Sequence, residues 1–289
     1  MGCTFARRSA EGTERGAGDG GEVLPTSLND MIAELAGAPP RLWSSMTWPE
    51  VQAMRDGGTD LCLLPLGATE QHGPHLPLNT DSLFAAAFCA YASAKTGVPV
   101  LPTVEYGCSL GHTDRWPGTL SLFPETLSAT VGEIAGFLIR TGFKRLLIVN
   151  SHWGNTASLR CAIDRVRFEH TGRFQIGLRS TFDITRSVWA QFTDDGEDFH
   201  ANRAETALMM YLAPELVRRD QIRDDPDRTA GKVFTYVVPQ TSTNGLTGHP
   251  SRATASDGKK LFREIGDALA ALVAAAKVEE PPLEWAARE

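Results

Sequence analysis

The sequence predicts an α/β protein with a largely parallel sheet covered by helices on both faces. Short apolar runs of strand length alternate with longer stretches of helical spacing, and Gly and Pro mark the boundaries between them. Three successive strand-like runs also empty into polar loops that bear histidine, although the chain has only seven histidines. Open α/β sheets place their chemistry at the carboxyl ends of strands, so this recurrence marks one rim of the sheet.

Residues 1–26, rich in Gly, Arg and Glu and without an apolar core, read as a disordered tail rather than a signal peptide. Met1-Gly2-Cys3 has the start of a myristoylation signal, but Ala6 stands where Ser or Thr is wanted. A single domain is expected over 27–278, with 279–289 a solvated tail. From Ser27 a short helix runs until Pro39-Pro40, and a second starts with Thr47 as N-cap and Pro49 in its first turn. Leu61 to Leu66 has the bulk of a buried strand and ends at Gly67. Asp81 to Lys95 reads as a helix stopped by Gly97, and Val98 to Val104 as the next strand.

The second polar loop, GCSLGHTDRWPGTLSL, leads to a helix over Pro124 to Thr141 with apolar residues at Leu127, Val131, Ile134 and Leu138. Phe143 to Val149 is a third buried strand, ending in Asn150-Ser151-His152-Trp153-Gly154-Asn155, and a helix of about fifteen residues follows. Phe174 to Arg179 is a weaker strand, Trp189 to Asp198 a polar connection, and Phe199 to Leu212 helical. In a regular helix His200 and Glu205 would stand about 140° apart, so they project together only if His200 precedes the first regular turn. No helical period marks 220–258, and the last helix runs from about Asp257 to Val278.

Composition excludes several classes. A net charge of −7, without clustered Lys and Arg, argues against a nucleic-acid surface. No apolar stretch approaches the ~20 residues of a membrane span. Cys3, Cys62, Cys89, Cys108 and Cys161 form no CxxC pair, and an odd count reads as reduced thiols in a cytoplasmic protein.

The loop after the first strand carries Glu70, His72, His75 and Asp81, four side chains that can bind a hard or borderline divalent cation through oxygen or imidazole nitrogen. Two plainer readings stand beside this one: polar residues of a Pro/Gly-rich surface loop, and, for Asp81, a carboxylate capping a helix start. His200 can likewise be a helix-terminal residue capping backbone. Trp116, Trp153 and Trp189 offer a flat apolar wall for a planar substrate, or core packing.

The runs LGATEQHGPHLPLNTD (66–81), SLGHTDRWPGTLSL (109–122), NSHWGN (150–155), HANRAET (200–206) and GLTGHPSRATASDGKKLF (245–262) resemble, in order, those of the creatininase, or creatinine amidohydrolase, family. The resemblance covers about 45–277. It implies a three-layer α/β/α sandwich with a mostly parallel central sheet, and metal-dependent hydrolysis of a non-peptide C–N bond in a small-molecule amide, lactam or formamide. It also implies two divalent ions per subunit, Zn, Mn or Fe, and a homo-oligomer, since creatininase itself is a hexamer.

By position, Glu70, His72, Asp81 and His152 match metal ligands, with Asp81 bridging. Creatininase has a further carboxylate where this chain has Gly154; members sharing that glycine use the acid matching Glu205, which counts against creatinine itself as substrate. His200 matches the family's histidine near the metals, expected to protonate the leaving nitrogen or steady the tetrahedral intermediate. His112 and Trp153 sit at two departures from the family pattern, where substrate would enter. Asn155 and His75 are expected to support the ligands. A deformylase or cofactor-precursor peptidase of the same superfamily is the alternative activity, and a catalytically silent ligand-binding scaffold the alternative of another class.

Overall fold

A computed structural model describes residues 27–283. The expected tail at 1–26, and 284–289 of the expected carboxyl-terminal tail, lie outside the described residues. Three parallel strands, β1 (Leu61–Leu66), β2 (Arg145–Asn150) and β3 (Gln175–Ser180), pair in the order β1-β2-β3, with Leu63 opposite Leu147 and Leu147 opposite Gly177. Every residue of β1 is buried, as expected of a parallel strand covered on both faces.

The helices are α1 (Leu28–Ala36), α2 (Trp48–Asp56), α3 (Thr80–Thr96), α4 (Pro124–Arg140), α5 (Thr156–Glu169), α6 (Arg186–Phe192), α7 (Arg203–Leu212), α8 (Val238–Thr241) and α9 (Ala255–Ala276). Alternation along β1 and β2 divides the interior into two layers. Leu61, Leu63, Leu147 and Val149 pack with Ile32 of α1, Phe84 and Phe88 of α3, Leu208 of α7 and Phe262 of α9. Cys62, Leu64, Leu66, Leu146 and Ile148 pack with Leu127 and Val131 of α4 and Leu159 and Val166 of α5. The result is the three-layer α/β/α arrangement expected from the sequence.

Local chemistry sets most boundaries. The Ser27 hydroxyl accepts the Asp30 N–H and that of Thr254 the Asp257 N–H at the starts of α1 and α9, while Gly37 and Gly97 close α1 and α3 in the left-handed conformation. Gly37 thus ends α1 before Pro39-Pro40 is reached.

Three expectations need correction. Val98 to Val104 lies parallel to β1 but makes isolated bridges rather than a continuous ladder. Leu101 donates to Leu63 O and Val104 to Pro65 O, so three residues on the outer segment span two on β1; Pro65 has no N–H to return a bond where the register slips. The connection at 189–198 is helical as far as Phe192, because the Thr185 hydroxyl caps α6 and Val188 and Phe192 are buried. Finally, α7 starts at Arg203 rather than Phe199: Asn202 accepts from Ala204 N–H and Glu205 N–H, and Ala201 before it has φ 48°.

Candidate metal and active site

Loops at the carboxyl ends of β1, the 98–104 segment and β2, together with the entry to α7, converge on one cleft of about 250 Å³. Gly67 makes the first convergence possible, since a Cβ there would lie 2.4 Å from Ser82 Cα; its absence lets the start of α3 press against the end of β1. Asp81 is thereby brought beside the loop that carries Glu70 and His72. It does not cap the helix: its Oδ1 lies 3.2 Å from His72 Nε2 and its Oδ2 3.1 Å from His152 Nδ1.

Asn155 joins the strand ends. Its amide donates to Gly67 O at 2.9 Å and Asn150 Oδ1 at 3.1 Å, and its oxygen accepts the Cys108 N–H at 2.8 Å. Asn150 in turn holds both backbone groups of His152.

Three imidazoles are oriented in the same way. His72 Nδ1 donates to Glu70 O at 3.1 Å, His152 Nε2 to Cys108 O at 3.1 Å and His200 Nδ1 to Gly245 O at 2.8 Å. A carbonyl only accepts, so the other nitrogen of each ring is left to face a carboxylate. For His200 that nitrogen lies 2.7 Å from Glu70 Oε1. Metal-binding histidines are usually anchored in this way, one nitrogen to the backbone and the other free for the ion.

Both oxygens of Glu70, Asp81 Oδ2, Glu205 Oε2 and His200 Nε2 are buried without a hydrogen bond. Buried acceptors without donors are costly unless a cation or proton lies between them. Ligand atoms of Glu70, Asp81 and His152 lie within 4.8 Å of one another, as do those of His72, Asp81 and Glu205, and those of Glu70, His72 and His200. Oxygen and imidazole donors without thiolate suit Zn²⁺ or Mn²⁺, so the residues present fit a divalent ion.

Burial alone would raise the acids and lower the bases. Around Glu70 the rings of His152, His112 and His200 overcome it, as those of His72 and His152 do at Asp81, and both carboxyl groups are held below their usual range. Against the same burial, His72 is raised to about 10, chiefly by Asp81, and His152 to about 9, by Glu70 and Asp81. Glu205 goes up, from burial and the Asp81 charge. His112 falls to about 3 and His75 to about 4, through burial and neighbouring imidazoles. In the cation-free state two protonated rings therefore balance two ionised carboxylates.

Glu70, His72, Asp81, His152, His200 and Glu205 are thus gathered in one place. His112 is closer to the cluster than its expected place at the entrance: Nδ1 is 3.2 Å from Glu70 Oε1 and accepts from Gln71 Nε2 at 3.0 Å. His75 faces away, toward Thr206. The tryptophan wall is corrected. Trp153, 57% exposed, lines the cleft with Phe182 and Phe199, whereas Trp189 stacks on Trp153 at 5.7 Å and is not itself at the surface of the cleft. Trp116 is not in the cleft; the Arg115 guanidinium, 5.1 Å from its ring, covers it within its own loop.

Sequence reasoning missed Gln71, which ties the first loop to Gly245 O at 2.8 Å, and the aromatic pair Phe182 and Phe199. Gln71 stands between two candidate ligands, a position that could have revealed it.

An α/β sheet whose strand ends gather buried carboxylates and backbone-anchored imidazoles around a small cleft defines a candidate metallohydrolase. The family of creatinine amidohydrolase, creatininase, matches residues 44–273, and the chain belongs to the creatininase family. It is 31% identical over 236 residues to the creatinine amidohydrolase of Pseudomonas putida, covering 77% of this chain and 88% of that one. It is also 31% identical over 215 residues to the mycofactocin precursor peptide peptidase of Mycolicibacterium smegmatis, covering 71% and 81%. A mutant creatininase of Zn–Zn type superposes with a TM-score of 0.75 at 28% identity, over 84% of this chain and 100% of that one. The protein is accordingly an amidohydrolase of the creatininase family. No helix among the described residues is long and apolar enough to cross a membrane.

Proposed function

We propose that this protein hydrolyses a small amide, lactam or formamide at a centre of two divalent ions. One observation carries the reading: Asp81, buried and without a hydrogen bond at Oδ2, belongs at once to the group with Glu70 and His152 and to the group with His72 and Glu205. Glu70, Asp81 and His152 would hold one ion; His72, Asp81 and Glu205 would hold the other. When bound, such ions polarise a carbonyl and acidify water, the two requirements of amide hydrolysis at neutral pH.

The remaining chemistry belongs to the chain. His200, with Nδ1 anchored on Gly245 O, presents Nε2 to the cleft and can pass a proton to the leaving nitrogen there. Trp153, backed by Phe182 and Trp189, gives a planar substrate an apolar face and excludes water beside the cluster. The volume of about 250 Å³ suits a small molecule or the end of a longer one.

Gly154 supports Glu205 as the acid of the second group. A Cβ at 154 would lie 2.3 Å from Cys108 O and 2.6 Å from His152 Nε2, so this position has no room for a carboxylate side chain. A second reading, cleavage near the end of a precursor peptide, is favoured by the relatives named as peptide peptidases.

The test is a panel of lactams including creatinine, formamides and short peptides, offered to Zn²⁺- or Mn²⁺-loaded protein and to chelator-stripped protein, with formation of the carboxylate product as the readout. Turnover of a lactam or formamide that vanishes on stripping supports the first reading, and turnover of peptides alone supports the second. Absence of bound divalent metal after loading would overturn both and leave a silent ligand-binding scaffold.

A further inference from the structure

We propose that His75 is a positioning residue: through Thr206 it holds Ala201 in a left-handed turn, and so aims His200 and Glu205, on either side of that turn, into one cleft. The inference rests on the reading that Glu205 holds a cation.

His75 is 0% exposed, and Arg218 N–H fixes its carbonyl at 2.9 Å. Its Nε2 lies 2.8 Å from Thr206 Oγ1, across 131 residues of sequence. The Thr206 hydroxyl also reaches Ala201 O at 3.4 Å; in the His75 tautomer protonated at Nε2, the ring donates to Thr206 Oγ1 and leaves the hydroxyl hydrogen for that carbonyl. A continuous relay therefore runs from the loop after β1, through the first turn of α7, to the carbonyl of Ala201.

Ala201 is the point the relay controls. With φ 48° it is the single non-glycine residue of positive φ among the described residues, and it is 0% exposed. An L-residue keeps that conformation only where its surroundings over-determine it. On one side His200 pairs with Thr247 through both backbone groups, at 3.1 and 2.8 Å. On the other, Asn202 caps α7 by accepting from Ala204 N–H and Glu205 N–H. In a regular helix the two functional side chains would diverge by about 140°; the turn at Ala201 closes that angle.

The experiment compares Thr206→Val, Thr206→Ser and His75→Leu, each checked for folding by its thermal midpoint, with Zn²⁺ titrated against a chromophoric chelator. Thr206→Val and His75→Leu should weaken binding of one ion by roughly 10- to 100-fold, the usual effect of losing an outer hydrogen bond, while Thr206→Ser stays near the parent. Adding Ala201→Gly to Thr206→Val should recover much of the loss, because glycine adopts this turn without a Cβ penalty. In stripped protein, amide exchange over 200–206 should rise in Thr206→Val and not in Thr206→Ser.

Parental affinity and exchange in Thr206→Val, equal losses in Val and Ser, or no recovery with glycine would each overturn the proposal. A parent that binds no Zn²⁺ would sink the function proposed above. Amide exchange would still decide the role of His75.

Discussion

His72 and Asp81 meet at 3.2 Å with side chains 1% and 2% exposed, and the second oxygen of the same carboxylate reaches His152. One acid thus stands between two imidazoles from different strand ends, and its removal should be felt on both sides.

Asp81→Asn should lower bound metal at both positions and abolish turnover. In stripped protein it should also destabilise the fold by about 3 kcal/mol, because it leaves a buried charge without its partner. Metal per chain by mass spectrometry and unfolding in urea report the two effects. Parental occupancy at either position would contradict a shared role for Asp81.

Stripped protein should lose stability as pH rises from 7 to 10. His72 and His152 are held above their ordinary value of about 6.5, at about 10 and about 9. Their stabilisation is complete below 6.5 and disappears as pH climbs through the raised values. His112 and His75, lowered to about 3 and about 4, act in the other window: they oppose folding once pH drops below 6.5. The thermal midpoint of stripped protein should therefore peak near neutrality. Loading with Zn²⁺ at pH 7.5 should release about two protons per chain, seen by calorimetry in buffers of different ionisation heat. A midpoint that climbs steadily to pH 10 would show that these rings are not protonated in the cation-free fold.

His200→Ala should slow turnover by roughly 10²- to 10⁴-fold, the range for loss of a proton-transferring side chain, with metal content unchanged. Steady-state kinetics on whichever substrate the panel identifies, paired with metal analysis, checks this. Loss of metal together with rate would instead make His200 a ligand, through its group with Glu70 and His72.

Gly154→Ala should cost about 1–3 kcal/mol, because the added methyl meets Cys108 O and must push the 107–109 loop outward. The His152 ring is displaced with it, so affinity for the ion should fall, and Gly154→Glu should be worse still. A gain in affinity in Gly154→Glu would mean that the loop yields readily and that Glu205 is dispensable.

Much of this was written locally. The six buried residues of β1, a helix beginning at about Ser27 and the stop at Gly97 are set by near neighbours, and histidine at three strand-like ends announced a shared rim. The stop at Gly37 and the cap at Asn202 are as local, yet the sequence suggests Pro39-Pro40 and Phe199 in their place. What escaped depends on distant partners. Pro65 disturbs its neighbouring segment only because that segment lies beside it. The supports of the three rings are carbonyls of Glu70, Cys108 and Gly245, and a carbonyl, common to every residue, leaves no trace in composition. Trp116 resembled Trp153 in sequence terms, yet it lies under Arg115 in its own loop and does not line the cleft.

Those carbonyl tethers also bear on how such an enzyme changes. The rings take their aim from the main chain, while Trp153, Phe199 and Tyr236 around the opening take no part in holding them. The walls can be rebuilt by substitution while the floor stays put, so a new leaving group can be admitted without relearning how to break the bond.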